Sequence, residues 1–112
     1  MSGTSVDGVD CALVQFVGDQ PRLIATHFEP IESSLREDIL RLCSGKNIDL
    51  ELYGNTDVSI GQLFARAAIT LLANEDIERT AIRAIGSHGQ TVFHYPQGDT
   101  RFTLQIGDPN SI

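Results

Sequence analysis

The sequence predicts an α/β fold with a mixed sheet and flanking helices. Two apolar segments separated by a turn open the chain, two amphipathic helical patterns follow, and two short strand patterns come last. Strands and helices combined in this order are typical of mixed α/β domains. A chain of 112 residues is long enough for one domain with a modest core.

The first two strands are predicted at residues 9–17 and 23–28. Residues 9–17 are almost continuously apolar, with β-branched and aromatic side chains, which indicates a buried strand. Residues 18–21 read Gly-Asp-Gln-Pro, a turn composition, and Pro30 ends the second strand. Because the connection is short, we expect an antiparallel hairpin.

Two helices are predicted next. Ser34 and Glu37 match a capping box, and Gly45 is a plausible residue to end the first helix. The second helix is predicted to begin near Asp49 and to end near Asn74. Its apolar residues recur at helical spacing and form one stripe: Ile60, Leu63, Phe64, Ala67, Ala68, Leu71 and Leu72.

The last part of the chain contains two further strand patterns. Residues 82–85 predict a short buried strand, and a Gly-Ser-His-Gly-Gln-Thr segment follows at residues 86–91. Residues 102–106 alternate between apolar and polar side chains, which predicts a half-buried strand. Pro109 suits the first turn of another helix.

The charge balance excludes several functional classes. Eight Lys and Arg residues against fifteen Asp and Glu residues give a net charge of -7, so we expect no nucleic-acid partner. No apolar run approaches the ~20 residues that span a bilayer, so we expect no membrane partner. The first residues contain neither the basic nor the apolar region of a signal peptide, which favours a cytoplasmic location.

A first candidate site lies at residues 2–10, directly before the first predicted strand. Gly3 and Gly8 permit a positive φ and a close approach of phosphate, and Thr4 and Ser5 offer hydroxyl donors. Asp7 suits Mg²⁺ or its water shell beside phosphates. A tight loop of turn-forming residues explains the same composition, because neither of the common glycine-rich phosphate motifs is matched.

A second candidate site lies at residues 86–91, just after a predicted strand, where α/β proteins commonly bind ligands. His88, Gln90 and Thr91 offer donors and acceptors suited to sugar hydroxyls. The alternative is a polar turn whose histidine bonds to the backbone. A metal site formed by His88, His94 and Asp108 has little support from the spacing.

A third segment, residues 103–111, places Asp108 and Asn110 at the end of a strand. Such residues either contact a ligand or form an Asx-type turn, and the residues alone favour the turn.

Three segments together resemble the anhydro-N-acetylmuramic acid kinases. They read MSGTSVDGVD at residues 1–10, AIGSHGQTVFH at residues 84–94 and TLQIGDPN at residues 103–110. The resemblance covers essentially the whole chain and implies the actin, Hsp70 and hexokinase superfamily. Residues 1–112 are then expected to form an incomplete N-terminal lobe of a two-lobe sugar kinase. This lobe is expected to be RNase-H-like, with its first strand missing.

The resemblance also implies a reaction. An ATP-dependent enzyme of this family cleaves the 1,6-anhydro bond of anhydro-N-acetylmuramic acid and gives N-acetylmuramic acid 6-phosphate, in bacterial cell-wall recycling. The implied cofactors are ATP and Mg²⁺, with Asp7 near the metal. The implied ATP-binding residues are Gly3, Thr4, Ser5, Val6, Asp7, Gly8, Val9 and Asp10, and the implied sugar-binding residues are His88, Gly89, Gln90 and Thr91.

By the same resemblance, the catalytic base is an Asp expected beyond Ile112, and the full-length protein is expected to be a homodimer. The chain alone is expected to turn over no ATP. Three alternatives remain: another sugar or carboxylate kinase of the superfamily, a non-catalytic sugar-binding module, and a gene fragment without function.

Overall fold

The computed structural model describes residues 6–112 and confirms the α/β class. Two strands are followed by two helices, a 3₁₀ turn at Arg79–Ala81, two more strands and a 3₁₀ turn at Pro109–Ser111. The strands and helices are β1 (Gly8–Val17), β2 (Gln20–Pro30), α1 (Ser33–Ser44), α2 (Leu50–Asn74), β3 (Gln90–Tyr95) and β4 (Phe102–Ile106). No helix within residues 6–112 is long and apolar enough to cross a membrane.

The strands form two separate antiparallel pairs in the described part of the chain. In the first pair, Gly8 lies opposite Pro30 and Val17 opposite Gln20, so the predicted hairpin is confirmed. In the second pair, β3 and β4 are joined through residues 96–101, and Gln90 lies opposite Ile106. The helices lie between the two pairs in sequence, and α2 packs against β1, β2 and β4.

The strand predicted at residues 82–85 is wrong. This segment is irregular and follows the 3₁₀ turn, and the side chain of Ile85 is 57% exposed. A strand needs a hydrogen-bonded neighbour, and residues 6–112 place no strand beside this segment. Its apolar side chains instead line a cleft, described below.

Helix α1 begins two residues earlier than its predicted capping box requires. Its N-cap is Glu32 and its first residue is Ser33, so Ser34 lies inside the first turn and the cap makes no side-chain hydrogen bond. The predicted capping box of Ser34 and Glu37 is therefore wrong. The C-terminal prediction is confirmed, because Gly45 adopts a left-handed conformation with φ 69°.

Helix α2 agrees closely with its prediction. The Asp49 carboxylate accepts a hydrogen bond of 2.7 Å from the amide of Leu52, which caps the first turn. The apolar stripe supplies three members of the central core. This core lies where α1, α2, β1 and β3 meet and consists of Val6, Val9, Ile31, Ile39, Leu42, Ile60, Leu63, Ala67, Val92 and Ile106.

Only the near end of the first hairpin is buried, at Gly8 and Val9. The prediction that the whole strand at residues 9–17 is buried is therefore wrong. Phe16 is 69% exposed and Val17 is 63% exposed at the far end. The last four residues of the strand are all exposed.

Candidate functional site

The first candidate segment is described from Val6 onward, and Gly3, Thr4 and Ser5 lie outside the described residues. Val6 is buried and has φ 51°, an unusual value for a β-branched residue. Arg36 Nε in α1 donates a 3.0 Å hydrogen bond to the carbonyl oxygen of Val6. The amide of Ile31 donates a 3.0 Å hydrogen bond to the carbonyl oxygen of Asp7. Asp7 itself is exposed.

Gly8 begins β1, and its φ lies outside the left-handed region. Gly8 thus does not adopt the positive φ that glycine permits, whereas Val6 of the same segment does. Packing explains the glycine instead. A Cβ atom at Gly8 would overlap the ring of Phe28 and would lie 2.8 Å from the carbonyl oxygen of Glu29. Contact of Gly8 with a phosphate stays a prediction.

The second candidate segment is a loop that packs against the end of β4. Gly89 has φ 68°, and a Cβ atom there would lie 2.6 Å from the carbonyl oxygen of Ile106. The Ser87 hydroxyl accepts a 3.2 Å hydrogen bond from the Gly89 amide, which tightens the loop. Glycine is thus required at position 89 both for its conformation and for the close approach of β4. His88, beside it, is exposed.

Gln90 and Thr91 open β3 and lie next to this loop. The Gln90 side chain is 4% exposed, and its Nε2 donates a 3.0 Å hydrogen bond to the carbonyl oxygen of Thr91. His94, farther along β3, pairs with Thr103 across the hairpin at 2.9 Å. The disfavoured metal site of His88, His94 and Asp108 gains no support, because the described residues hold no group of three metal-ligating side chains.

A cleft of about 300 Å³ brings the first two candidate segments together. Asp10 lies on one wall, and Ser87, His88 and Gly89 lie on the other. Apolar side chains of α2, among them Phe64, complete the lining. A mostly apolar cleft with a few convergent polar groups is typical of a small-molecule site, and this volume lies at the small end of the usual ~300–1,000 Å³.

The third segment is docked on α2 by main-chain contacts that the sequence patterns did not predict. The Asp57 carboxylate accepts a 2.6 Å hydrogen bond from the Gly107 amide, and the Asp57 carbonyl oxygen accepts a 3.1 Å bond from the Asp108 amide. Gly61, one turn later, permits the approach, since a Cβ atom there would lie 2.5 Å from the Asp108 carbonyl oxygen. A glycine inside an amphipathic helix often marks a close packing contact, so Gly61 was a sequence feature that could have indicated this one.

The predicted Asx-type turn at Asp108 is confirmed. Its carboxylate accepts a 2.7 Å hydrogen bond from the Ser111 hydroxyl and a 3.1 Å bond from the Asn110 amide. These bonds, that of Ser111 first, lower the pKa of Asp108 below its ordinary value. The Asp108 side chain therefore acts within its own turn, and Pro109 begins the short 3₁₀ turn there.

A separate charged cluster joins β2 to α2. Glu29 accepts hydrogen bonds from Arg66 Nε at 3.2 Å and pairs with His27 Nε2 at 2.8 Å. The bond with His27, followed by the bond and the charge of Arg66, lowers the pKa of Glu29 below its ordinary value. The cluster links the first hairpin to the helix that forms one wall of the cleft.

Comparison with known proteins gives one family. The sequence model of the anhydro-N-acetylmuramic acid kinase family matches residues 1–112. A protein named anhydro-N-acetylmuramic acid kinase from Shewanella sp. (strain ANA-3) is 55% identical over all 112 residues of this chain. Proteins of the same name from Shewanella pealeana and Vibrio vulnificus (strain CMCP6) are 51% and 50% identical over the same span. In each case the chain spans 30% of the relative's length.

Proposed function

This chain belongs to the anhydro-N-acetylmuramic acid kinase family, and from that premise we propose that it forms part of the N-terminal, nucleotide-binding lobe of an ATP-dependent sugar kinase. The proposed reaction cleaves the 1,6-anhydro bond of anhydro-N-acetylmuramic acid with water and phosphorylates the sugar to N-acetylmuramic acid 6-phosphate. In the cell it serves cell-wall recycling in the cytoplasm.

One observation carries this proposal beyond the family name. Asp10, the last residue of the candidate phosphate segment, and His88, in the candidate sugar segment, line the same cleft. A kinase must hold its phosphoryl donor and its acceptor side by side, because transfer occurs in line between them. The shared cleft supports the proposal, because it is lined by two segments far apart in sequence.

The proposed nucleotide site comprises residues 3–10, whose backbone amides and hydroxyls would contact the phosphates of ATP. Asp7 fits a Mg²⁺ ion, because Mg²⁺ prefers oxygen ligands and is commonly held by one or two carboxylates together with substrate phosphates. Asp7 is exposed and supplies such a carboxylate. The carbonyl oxygens of Val6 and Asp7 accept hydrogen bonds that hold the backbone on both sides of it. When bound, Mg²⁺ supplies neutralisation of the phosphate charge.

The proposed sugar side comprises His88, Gly89, Gln90 and Thr91. His88 and Gly89 line the cleft and would contact the sugar directly. Gln90 and Thr91 lie in β3 directly behind them and would hold the loop in place. In this proposal the catalytic base is an Asp in the family's later sequence, and the active protein is a homodimer.

The test is an assay of the complete natural polypeptide with ATP, Mg²⁺ and anhydro-N-acetylmuramic acid. We expect ADP release and a sugar product heavier by one water and one phosphoryl group, detected by mass spectrometry. Asp7→Asn should lower kcat by about 100-fold or more, as loss of transition-state charge stabilisation does. Asp19→Asn, an isosteric change in the exposed β1–β2 turn, is the matched control and should leave the rate unchanged.

The same assay separates the alternatives. Phosphorylation of a different sugar or a carboxylate, with no product from the anhydro sugar, would indicate another kinase of the superfamily. Tight sugar binding without any ATP dependence would indicate a non-catalytic module. The 112-residue chain prepared by itself is expected to release no ADP, and sugar-dependent ADP release from it would contradict that expectation.

A further inference from the structure

The backbone on both sides of Asp7 is held by hydrogen bonds from elsewhere in the fold. The peptide plane before Asp7 carries the Val6 carbonyl, which accepts the 3.0 Å bond from Arg36 Nε. The plane after it carries the Asp7 carbonyl, which accepts the 3.0 Å bond from the Ile31 amide. Because peptide units are planar, a bond to each plane restricts φ and ψ of Asp7 and therefore the direction of its Cα–Cβ bond.

The two hydrogen bonds differ in what they contribute. The bond from Ile31 continues the β1–β2 pairing beyond Gly8 and Pro30, so the hairpin supplies it without a special residue. The bond from Arg36 comes from a side chain in the first turn of α1, 30 residues away in sequence. Nothing in the secondary structure requires an arginine there.

Helix α1 is a rigid support for this contact. Ile39 and Leu42 anchor the helix in the central core with almost no exposed surface. Val6 needs such a support, because a left-handed conformation is unfavourable for a β-branched residue and persists only where its surroundings hold it. A hydrogen bond from a charged donor is stronger than one from a neutral donor, which suits this purpose.

We propose that Arg36 is a positioning residue for the metal-binding carboxylate of Asp7. The proposal rests on the function proposed above, in which Asp7 holds Mg²⁺ beside the nucleotide phosphates. Mg²⁺ demands near-ideal octahedral geometry, so a carboxylate that swings freely binds it less well than one held in place. Arg36 acts through the Val6 carbonyl, and its loss would weaken Mg²⁺ binding while leaving the core of α1 intact.

The test uses the complete natural polypeptide and titrates MgCl₂ in the presence of ADP, with binding followed by isothermal titration calorimetry. Arg36→Met removes the donor but keeps an unbranched side chain of good helix propensity. Arg36→Lys keeps a cation with a different donor geometry. Arg41→Met is the matched control: Arg41 lies in the same helix and donates a 2.7 Å hydrogen bond to the Asn47 carbonyl, away from Asp7.

We expect Arg36→Met to raise the Mg²⁺ concentration for half-saturation by roughly 10- to 100-fold, the range found when an outer-shell partner of a metal ligand is lost. Arg36→Lys should fall between Arg36→Met and the wild type, and Arg41→Met should match the wild type. ADP affinity measured without Mg²⁺ should be equal in all four proteins, a result that a merely structural defect would not give.

The outcomes separate the two proposals. Equal Mg²⁺ dependence in Arg36→Met and Arg41→Met overturns the role of Arg36 alone. If Arg36→Met does not fold, Arg36→Lys decides, and its agreement with the wild type overturns the role. A wild-type protein that binds neither ADP nor Mg²⁺ overturns both this role and the proposed nucleotide site.

Discussion

Replacing Gly61 with alanine tests whether the third segment is held on α2 by close main-chain contact. An added Cβ atom would lie 2.5 Å from the carbonyl oxygen of Asp108 and 3.0 Å from its amide nitrogen. Both neighbours are backbone atoms, so they cannot rotate away as a side chain could. Gly54, two turns earlier in α2, is the matched control, since a Cβ atom there would meet nothing within 4 Å.

The two substitutions are predicted to have opposite signs. Alanine in a helix interior is favoured over glycine by about 1 kcal/mol, so Gly54→Ala should stabilise the protein by that amount. Gly61→Ala gains the same helix propensity. The added methyl group must also displace residues 107 and 108, which donate two hydrogen bonds to Asp57. One of these bonds has a charged acceptor, and its loss costs ~1.5–3 kcal/mol. An overpacking cost of about 1–3 kcal/mol adds to this loss, so the net loss is about 3 kcal/mol within a range of about 1.5–5 kcal/mol.

Native-state hydrogen exchange measures this effect locally. The Gly107 and Asp108 amides donate to Asp57, so their exchange rates report the opening of this contact. A loss of about 3 kcal/mol corresponds to about 150-fold faster exchange in Gly61→Ala. The exchange rates of the same amides should be unchanged or lower in Gly54→Ala. Equal protection of these amides in both variants would refute the close contact between α2 and the third segment.

Three further substitutions test other contacts. Glu29→Gln removes a carboxylate whose pKa in the folded protein lies below 4.5. The wild type should therefore be more stable than the variant above pH 4.5, and this difference should fade as the pH falls through the folded pKa. Urea unfolding midpoints measured at several pH values check this. Gly89→Ala should cost about 1–3 kcal/mol in urea unfolding, because φ 68° is unfavourable for alanine. Asp49→Ala removes the cap of α2 and should cost about 1 kcal/mol in the same assay, whereas Asp49→Asn should restore most of it.

The elements with strong local signals were predictable from the sequence. Helix α2 has both a capping Asp49 and a long apolar stripe, and its bounds agree with the prediction to about one residue. Gly45 ends α1 as predicted, because a left-handed residue at that position favours glycine. The first hairpin followed from its turn composition.

The failures have a common physical cause. Apolar residues at 82–85 and 14–17 look the same in sequence whether a partner covers them or not. Strand formation and burial both depend on a neighbour supplied by tertiary structure, which periodicity does not report. The capping box failed in a smaller way: α1 begins at Ser33 with Glu32 as its N-cap, so both serines lie inside the first turn.

For the candidate site, sequence patterns indicate the segments but not the residues that hold those segments in place. Asp10 and His88 each lie in an unusual local pattern, and they line one cleft. Sequence patterns do not indicate the contacts of Arg36 and Asp57, because each residue lies in an ordinary helical sequence. Each also bonds to a backbone group at least 30 residues away. A side chain that bonds to a distant carbonyl or amide leaves no periodic or compositional signal.

Different contacts support the two parts of the candidate site. Arg36 of α1 bonds to the backbone of the candidate phosphate segment, whereas the loop with His88 rests through Gly89 on the end of β4. That end of β4 is held on α2 through Gly61 and Asp57. Glycine at 61 and 89 is thus explained by one requirement, since each faces a carbonyl oxygen too close for a Cβ atom.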